Sequence, residues 1–224
     1  MSRPTCNLCG SQEFAPYRGR ADEQCASCGS KARHRVMWET YRRIIPEGKA
    51  QILHLAPEAC LHRRLSAHGG TGYRTADYAP ERYPHAQAMR LQLPDDLATL
   101  ADGAFDFILH NHVLEHIPGR FRDWLPGLLA KLAPGGTMVF TVPGPYDIPE
   151  TLEGGEHLKS DAERLERFLQ EDHVRLFGRD LRPWLAARPD GALLPDPVSE
   201  ERRAEIAVRP GKVVPFLWQR STGQ

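Results

Sequence analysis

Four cysteines stand in two pairs, Cys6-x2-Cys9 and Cys25-x2-Cys28, with fifteen residues between the pairs. That spacing lets two tight knuckles present four thiolates to one tetrahedral Zn²⁺. Gly10 and Gly29 each follow a second cysteine and permit the tight backbone a knuckle needs. Four sulfurs leave no open coordination position, so the zinc expected here is structural. So short a segment cannot bury a core, and metal binding, worth about 10–16 kcal/mol in comparable peptides, would supply its folding energy. Disulfides or free thiols are the alternatives; a cytoplasmic setting disfavours the first and the paired pattern the second.

A second group of reactive side chains lies at His110-Asn111-His112, directly after the apolar run Phe105-Asp106-Phe107-Ile108-Leu109. A short run of this kind reads as a buried strand, and the polar residues mark its carboxyl end. His112 also opens H-x-x-E-H with Glu115 and His116, a pattern that holds catalytic zinc in some peptidases when both histidines share one helical face. The strand before it and Pro118 after it leave little room for that helix. Asp77 is the acid near the end of a further expected strand, Tyr73 to Tyr78, about twenty residues after the turn Ala56-Pro57-Glu58. A carboxylate so placed in a nucleotide-binding sheet accepts both ribose hydroxyls of a cofactor; a turn or helix-cap acid before Pro80 is the plainer alternative.

The elements that must position these groups follow from periodicity. Gly48 to Leu55 reads as a strand, with a helix from the Ala56-Pro57-Glu58 turn to about Ala67. Ala88 to Leu93 is a weaker strand. Val113 to Lys131 gives a short turn and a helix, Pro134-Gly135-Gly136 a turn, and Thr137 to Val142 another buried strand. Strand, helix and strand in this order make a right-handed crossover in a parallel sheet, whose ligands sit beyond the carboxyl ends of the strands. Lys31 to Arg43 reads as a helix joining the cysteine segment to this sheet. Its Arg33, His34 and Arg35 would hold an anionic substrate or a nucleic-acid phosphate, or form a solvated basic face. Val213 to Trp218 reads as an edge or terminal strand, because Pro215 opposes a fully paired central position.

The 224 residues suit one domain with a small appendage, and the formal charge of zero gives no global argument for nucleic acid or an anionic membrane. No apolar run approaches the roughly 18 residues of a membrane span, and no signal-peptide core opens the chain, so a cytoplasmic protein is expected.

Three motifs in order, Phe105-Asp106-Phe107-Ile108, Val113-Leu114-Glu115-His116 and Leu132-Ala133-Pro134-Gly135-Gly136, resemble the class I S-adenosylmethionine-dependent methyltransferases of the common bacterial type. With the cysteine pairs, the Ala56-Pro57-Glu58 turn and His173-Val174-Arg175-Leu176-Phe177-Gly178-Arg179-Asp180, the chain resembles a bacterial group that carries an N-terminal zinc ribbon. The resemblance implies an α/β, Rossmann-like, mostly parallel seven-stranded sheet with helices on both faces. It divides the chain into a ribbon over residues 1–35 and a methyltransferase domain over 36–224, with a lid insertion over about 144–192. It further implies that Ala56, Pro57 and Glu58 face the methionine part of S-adenosylmethionine and Asp77 its ribose. Leu91 and Gln92 would line its adenine, while Asn111 and His112 close over it. His54 and Tyr78, at the same strand ends, join the expected cofactor set.

Methyl transfer from a sulfonium depends mainly on alignment and exclusion of water, and a hydroxyl acceptor would add a general base. His112, His157 and His173 are the candidates. In the insertion, Tyr146, Arg175 and Arg179 are expected to face the acceptor; a solvated, salt-bridged helical hairpin is the alternative. A small-molecule acceptor is expected, with a macromolecular substrate recruited by the ribbon as a variant. The alternative class is a non-catalytic module, in which the ribbon binds RNA or protein on a degenerate methyltransferase scaffold. Its support is the missing glycine loop at residues 56–58. A divalent ion near Glu115 and His116, as in quinone-pathway O-methyltransferases, is a further variant, although Asn111 and His112 stand where companion carboxylates are expected.

Overall fold

The computed structural model describes residues 3–144 and 147–223. A hairpin of β1 (Phe14–Tyr17) and β2 (Arg20–Cys25) forms the small N-terminal sheet, and α1 (Ala32–Ile44) follows it directly. The boundary expected at residue 35 therefore falls inside a helix. Arg35 shows why no break occurs there. Its buried guanidinium donates to the carbonyls of Glu23 and Ser30 in the ribbon, at 3.2 and 2.9 Å, and to those of Ile206 and Ala207, both at 2.7 Å.

The main sheet is built from β3 (Ile52–Leu55), β4 (Tyr73–Asp77), β5 (Met89–Arg90), β6 (Phe105–Asn111), β7 (Leu132–Thr141), β8 (Gly191–Leu193) and β9 (Phe216–Arg220), in the order β5-β4-β3-β6-β7-β9-β8. Strands β3 to β7 run parallel, and β9 runs antiparallel to both neighbours. This is the seven-stranded, mostly parallel sheet that the motifs implied.

Alternation along the central strands sorts their side chains onto two faces. Ile52, Leu109 and Val139 join Met37 and Tyr41 of α1 and Leu61 and Leu65 of α2 (Ala59–Gly69). Leu53, Ile108 and Met138 join Phe121, Trp124, Leu125 and Leu128 of α3 (Phe121–Leu129) on the other face. With both faces covered, the strands read as near-continuous apolar runs. Each fully buried Leu, Ile or Met contributes about 1.5–3 kcal/mol.

Three expectations need correction. The turn at residues 134–136 is a break in register within β7: Phe105 pairs with Leu132 but Phe107 with Thr137. A Cβ at Gly136 would sit 2.9–3.0 Å from the carbonyl oxygens of Ala133, Phe105 and Asp106, so only glycine fits. The strand near residue 216 is not an edge. Pro215 lies just before β9, which leaves every N–H of the strand free to pair with β7 and β8. The insertion over 144–192 is not wholly a lid either. Its α4 (Asp161–Phe168), closed by a Ser160–Glu163 capping box, lies outside the main core, but Leu181 and Leu185 of α5 (Leu181–Ala186) are buried in it beside Phe177. The last helix, α6 (Glu200–Glu205), packs near the ribbon through Arg202, which meets the buried Glu39 of α1 at 3.0 Å. Among the described residues no helix is long and apolar enough to cross a membrane.

Candidate active site

The carboxyl ends of β3, β4 and β6 surround a cavity of about 410 Å³, within the usual range for a small-molecule or cofactor site. The turn after β3 forms one wall. Ala56 adopts a left-handed φ of +49° there, the conformation a glycine ordinarily supplies, and Glu58 follows it. Asn111, at the end of β6, donates from Nδ2 to Glu58 Oε2 at 3.4 Å and accepts from Thr141 Oγ1 at 3.0 Å, so its amide orientation is fixed by both neighbours. Burial opposes ionisation of Glu58, but the hydrogen bond with His54 and the basic groups around it prevail and hold its carboxyl down at about 2. Burial pushes His34 down to about 4, so at neutral pH the carboxylate faces a neutral imidazole.

Asp77 ends β4 and lines the same cavity, with Oδ1 accepting from the Ala79 N–H at 2.8 Å. Tyr83 stands beside it, its hydroxyl raised to about 12 by burial and then by the Asp77 charge. Tyr78, Leu91 and Gln92 complete the expected cofactor residues on the lining. Pro57 does not line it; its carbonyl contacts His85 Nε2 at 2.8 Å. His54 is fully buried and also absent from the lining. Its Nε2 lies 3.4 Å from Glu58 Oε2 and its Nδ1 2.8 Å from the Tyr73 hydroxyl, so it braces the acid from behind. His110 points into the sheet face and stacks on Phe140 with ring centroids 5.0 Å apart.

A second, wider cleft of about 1020 Å³ opens between the ribbon, the end of β7 and the segment after α6. Arg33 and His112 line both this cleft and the smaller cavity. His112 has a left-handed φ of +54°, and burial followed by the Arg33 charge drives its imidazole down to about 3, so it is neutral at pH 7. The solvated basic face considered for residues 33–35 is not found: Arg35 and His34 are buried, and Arg33 is placed at the junction. The cleft is lined by five cationic side chains, Arg3, Arg20, Arg33, Arg209 and Lys212, against three carboxylates, Glu13, Asp22 and Glu23.

Other candidates lie elsewhere. His157 has 82% of its side chain exposed and faces neither cavity. Arg175 is fully buried and donates to the carbonyls of Leu114, Ile117 and Gly119 and to Glu153, which makes it a staple between the insertion and the turn after β6. Arg179 is exposed and pairs with Asp147 at 3.4 Å. Tyr146 lies outside the described residues. His173 is buried and lines neither cavity, its ring centroid 4.9 Å from that of His116. Glu115 lies beside them, its carboxyl raised to about 8, chiefly by burial. His112 precedes a single 3-10 turn over Leu114–His116, so the helix that the peptidase pattern requires is missing.

Sequence reasoning missed Tyr83 and Arg82, which line the smaller cavity, and the shared position of Arg33. An aromatic six residues beyond the strand-end acid was the available sign for Tyr83; the position of Arg33 had none, because it depends on how the ribbon packs.

The four cysteines converge. Cys6 and Cys28 Sγ lie 3.7 Å apart and Cys9 and Cys25 Sγ 3.5 Å, with all four sulfurs within 4.8 Å of one another. Tetrahedral zinc with Zn–S bonds of about 2.3 Å sets sulfurs about 3.8 Å apart, so this donor set fits the ion.

A family model described as a methyltransferase domain matches residues 46–188. Two proteins described as trans-aconitate 2-methyltransferase, from Streptomyces coelicolor and Streptomyces avermitilis, are 42% identical over 48 residues and 47% identical over 45. Those segments make up 21% and 20% of this chain and 16% of each relative, so the match spans about a sixth of their length. A SAM-dependent methyltransferase from Archaeoglobus fulgidus has a solved structure that superposes with a TM-score of 0.52 at 13% identity, covering 84% of this chain and 94% of that one.

Proposed function

Because the chain belongs to the methyltransferase domain family, we propose that it methylates a small anionic acceptor, using S-adenosylmethionine held in the smaller cavity and the acceptor in the wider cleft. The observation that carries this reading is the shared lining: Arg33 and His112 border both spaces, which places the two side chains where a group in one would approach a group in the other.

The residues around the smaller cavity suit the cofactor. Glu58 Oε1 is buried without a hydrogen-bond partner and can accept from the cofactor's amino group. Asp77 with Tyr83 would hold the ribose, and Leu91 and Leu93 would pack on the base. S-adenosylmethionine supplies a methyl group on a sulfonium, already activated as a leaving group. The chain's own residues then have to orient and desolvate, which can lower a barrier by about 7–11 kcal/mol. Arg33 would fix an acceptor anion, and the neutral His112 would accept a hydrogen bond from an acceptor hydroxyl. The cationic excess of the cleft supports an acceptor of the charge class that the Streptomyces relatives' name specifies, a polycarboxylate. The Cys6, Cys9, Cys25 and Cys28 cluster would bind structural zinc and hold the ribbon wall of the cleft in place. A non-catalytic scaffold drew its support from the glycine-free turn, and the left-handed Ala56 removes much of that support.

Calorimetric titration with S-adenosylhomocysteine, followed by a methylation screen of di- and tricarboxylates, tests the reading. Micromolar binding with turnover on a polyanion is expected. No binding by zinc-replete protein would overturn it.

A further inference from the structure

We propose that His34 and His54 clamp Glu58 as a pair of N–H donors whose tautomers are set from behind, and that Tyr73 and His62 are positioning residues for this acid. None of these four residues lines either cavity. The clamp stands on its geometry, and the identity of the group it receives rests on the methyltransferase reading.

His34 Nε2, His54 Nε2 and Glu58 Oε1 are all buried without a hydrogen-bond partner. Buried polar atoms in folded proteins are ordinarily satisfied, so three together call for an explanation. His34 Nε2 lies 3.6 Å from Glu58 Oε1 and His54 Nε2 lies 3.4 Å from Oε2, one imidazole to each oxygen.

His34 is oriented by the start of α1. Its Nδ1 accepts from the Lys31 N–H at 3.2 Å and faces the Cys60 sulfur at 3.2 Å. An Nδ1 that accepts leaves the one ring proton of a neutral imidazole on Nε2, directed at Glu58.

His54 is oriented by a chain that leads away from the cavity. Its Nδ1 lies 2.8 Å from the Tyr73 hydroxyl, and His62 Nδ1 lies 3.1 Å from the same hydroxyl. A hydroxyl has one proton, so it donates to one imidazole and accepts from the other. The carboxylate, which only accepts, sets the direction. His54 carries its proton on Nε2, Tyr73 donates to His54 Nδ1, and His62 donates from Nδ1 to Tyr73. His54 is wholly buried and His62 partly exposed, so the chain runs from the cavity wall to the protein surface.

Neutral donors hold a carboxylate in place without cancelling its charge. Among the described residues, no lysine or arginine lies within 4.0 Å of the Glu58 oxygens; the two histidines alone do. Glu58 therefore offers the cavity an uncancelled negative charge, and the group it fits is an ammonium, such as the methionine end of S-adenosylmethionine carries.

Calorimetry on the full, zinc-replete chain compares S-adenosylhomocysteine with its analogue lacking the amino group. The wild type should bind the parent compound about tenfold to a hundredfold more tightly, the range for a hydrogen bond to a charged group. Tyr73→Phe and His62→Leu should each cut that ratio by roughly fivefold, the worth of one hydrogen bond, by weakening the parent compound alone. His62→Asn, which restores an N–H donor, should recover it. A loss shared equally by both ligands would make Tyr73 a packing residue and overturn the proposal. Nitrogen NMR of the imidazole rings in the wild type needs no ligand: His34 and His54 should each carry a proton on Nε2 alone, and a proton on Nδ1 of either would also overturn it. If S-adenosylhomocysteine fails to bind at all, the methyltransferase reading falls and the two tautomers still decide the clamp.

Discussion

Nε2 of the wholly buried His54 lies 3.4 Å from Oε2 of Glu58, four residues along the chain. An imidazole that touches neither cavity thus orients an acid that lines one. This wall of the smaller cavity therefore depends on a side chain hidden inside β3, and under the proposed function changes at His54 should appear as changes in S-adenosylhomocysteine affinity.

Asp77→Ala should weaken S-adenosylhomocysteine binding by tenfold to a hundredfold, since a charged hydrogen bond contributes about 1.5–3 kcal/mol. Calorimetry on the variant and the wild type reads it directly. Affinity within twofold of the wild type would remove Asp77 from the site.

Arg209→Glu should raise the KM for an anionic acceptor at least tenfold and leave S-adenosylhomocysteine affinity unchanged, because Arg209 lines the wide cleft and not the smaller cavity. Equal losses of both would show that the two spaces are not separate sites.

Glu39 gives a pH dependence. Burial opposes its ionisation, but Arg202, Arg42, Asn7 and Arg43 outweigh that and hold its carboxyl at about 2. A folded value below the unfolded one adds stability that is present above about pH 4.5 and is lost as pH falls toward 2. The full shift corresponds to roughly 3 kcal/mol, of which about 2 kcal/mol is lost by pH 3. Urea unfolding at pH 7 and at pH 3 should show a loss of this order in the wild type and a smaller one in Glu39→Gln.

Removing zinc with a chelator, or replacing Cys25 with serine, should unravel the ribbon and lower the melting temperature of the whole chain. Arg35 joins ribbon carbonyls to those of Ile206 and Ala207, so the loss propagates past residue 35. Calorimetric melting checks this. Two independent transitions, with the upper one unmoved, would contradict it.

The central sheet was legible because Ile52–Leu55 and Phe105–Asn111 are buried on both faces and carry that burial in their composition. The place of Asp77 at the end of a strand was legible because it closes the run from Tyr73 just before Pro80, which stops the strand. Arg175 was not, since a buried arginine that caps carbonyls looks the same in sequence as one that meets a substrate. The interior place of β9 was hidden by Pro215, whose effect stops one residue short of the strand. His173 and Glu115 are 58 positions apart, and nothing local announces that α4 and the turns around it bring them together.

The wide cleft takes its walls from Phe14 and Arg20 near one end of the chain and from Arg209 and Val214 near the other, while the smaller cavity needs nothing beyond Asp172. On a ribosome, the segment that encloses the smaller cavity emerges first, and the residues that finish the cleft emerge dozens of codons later. Phe216 and Trp218 of β9 fill the main core in that same late stretch, so the central sheet and the wide cleft are both completed only by residues beyond 203.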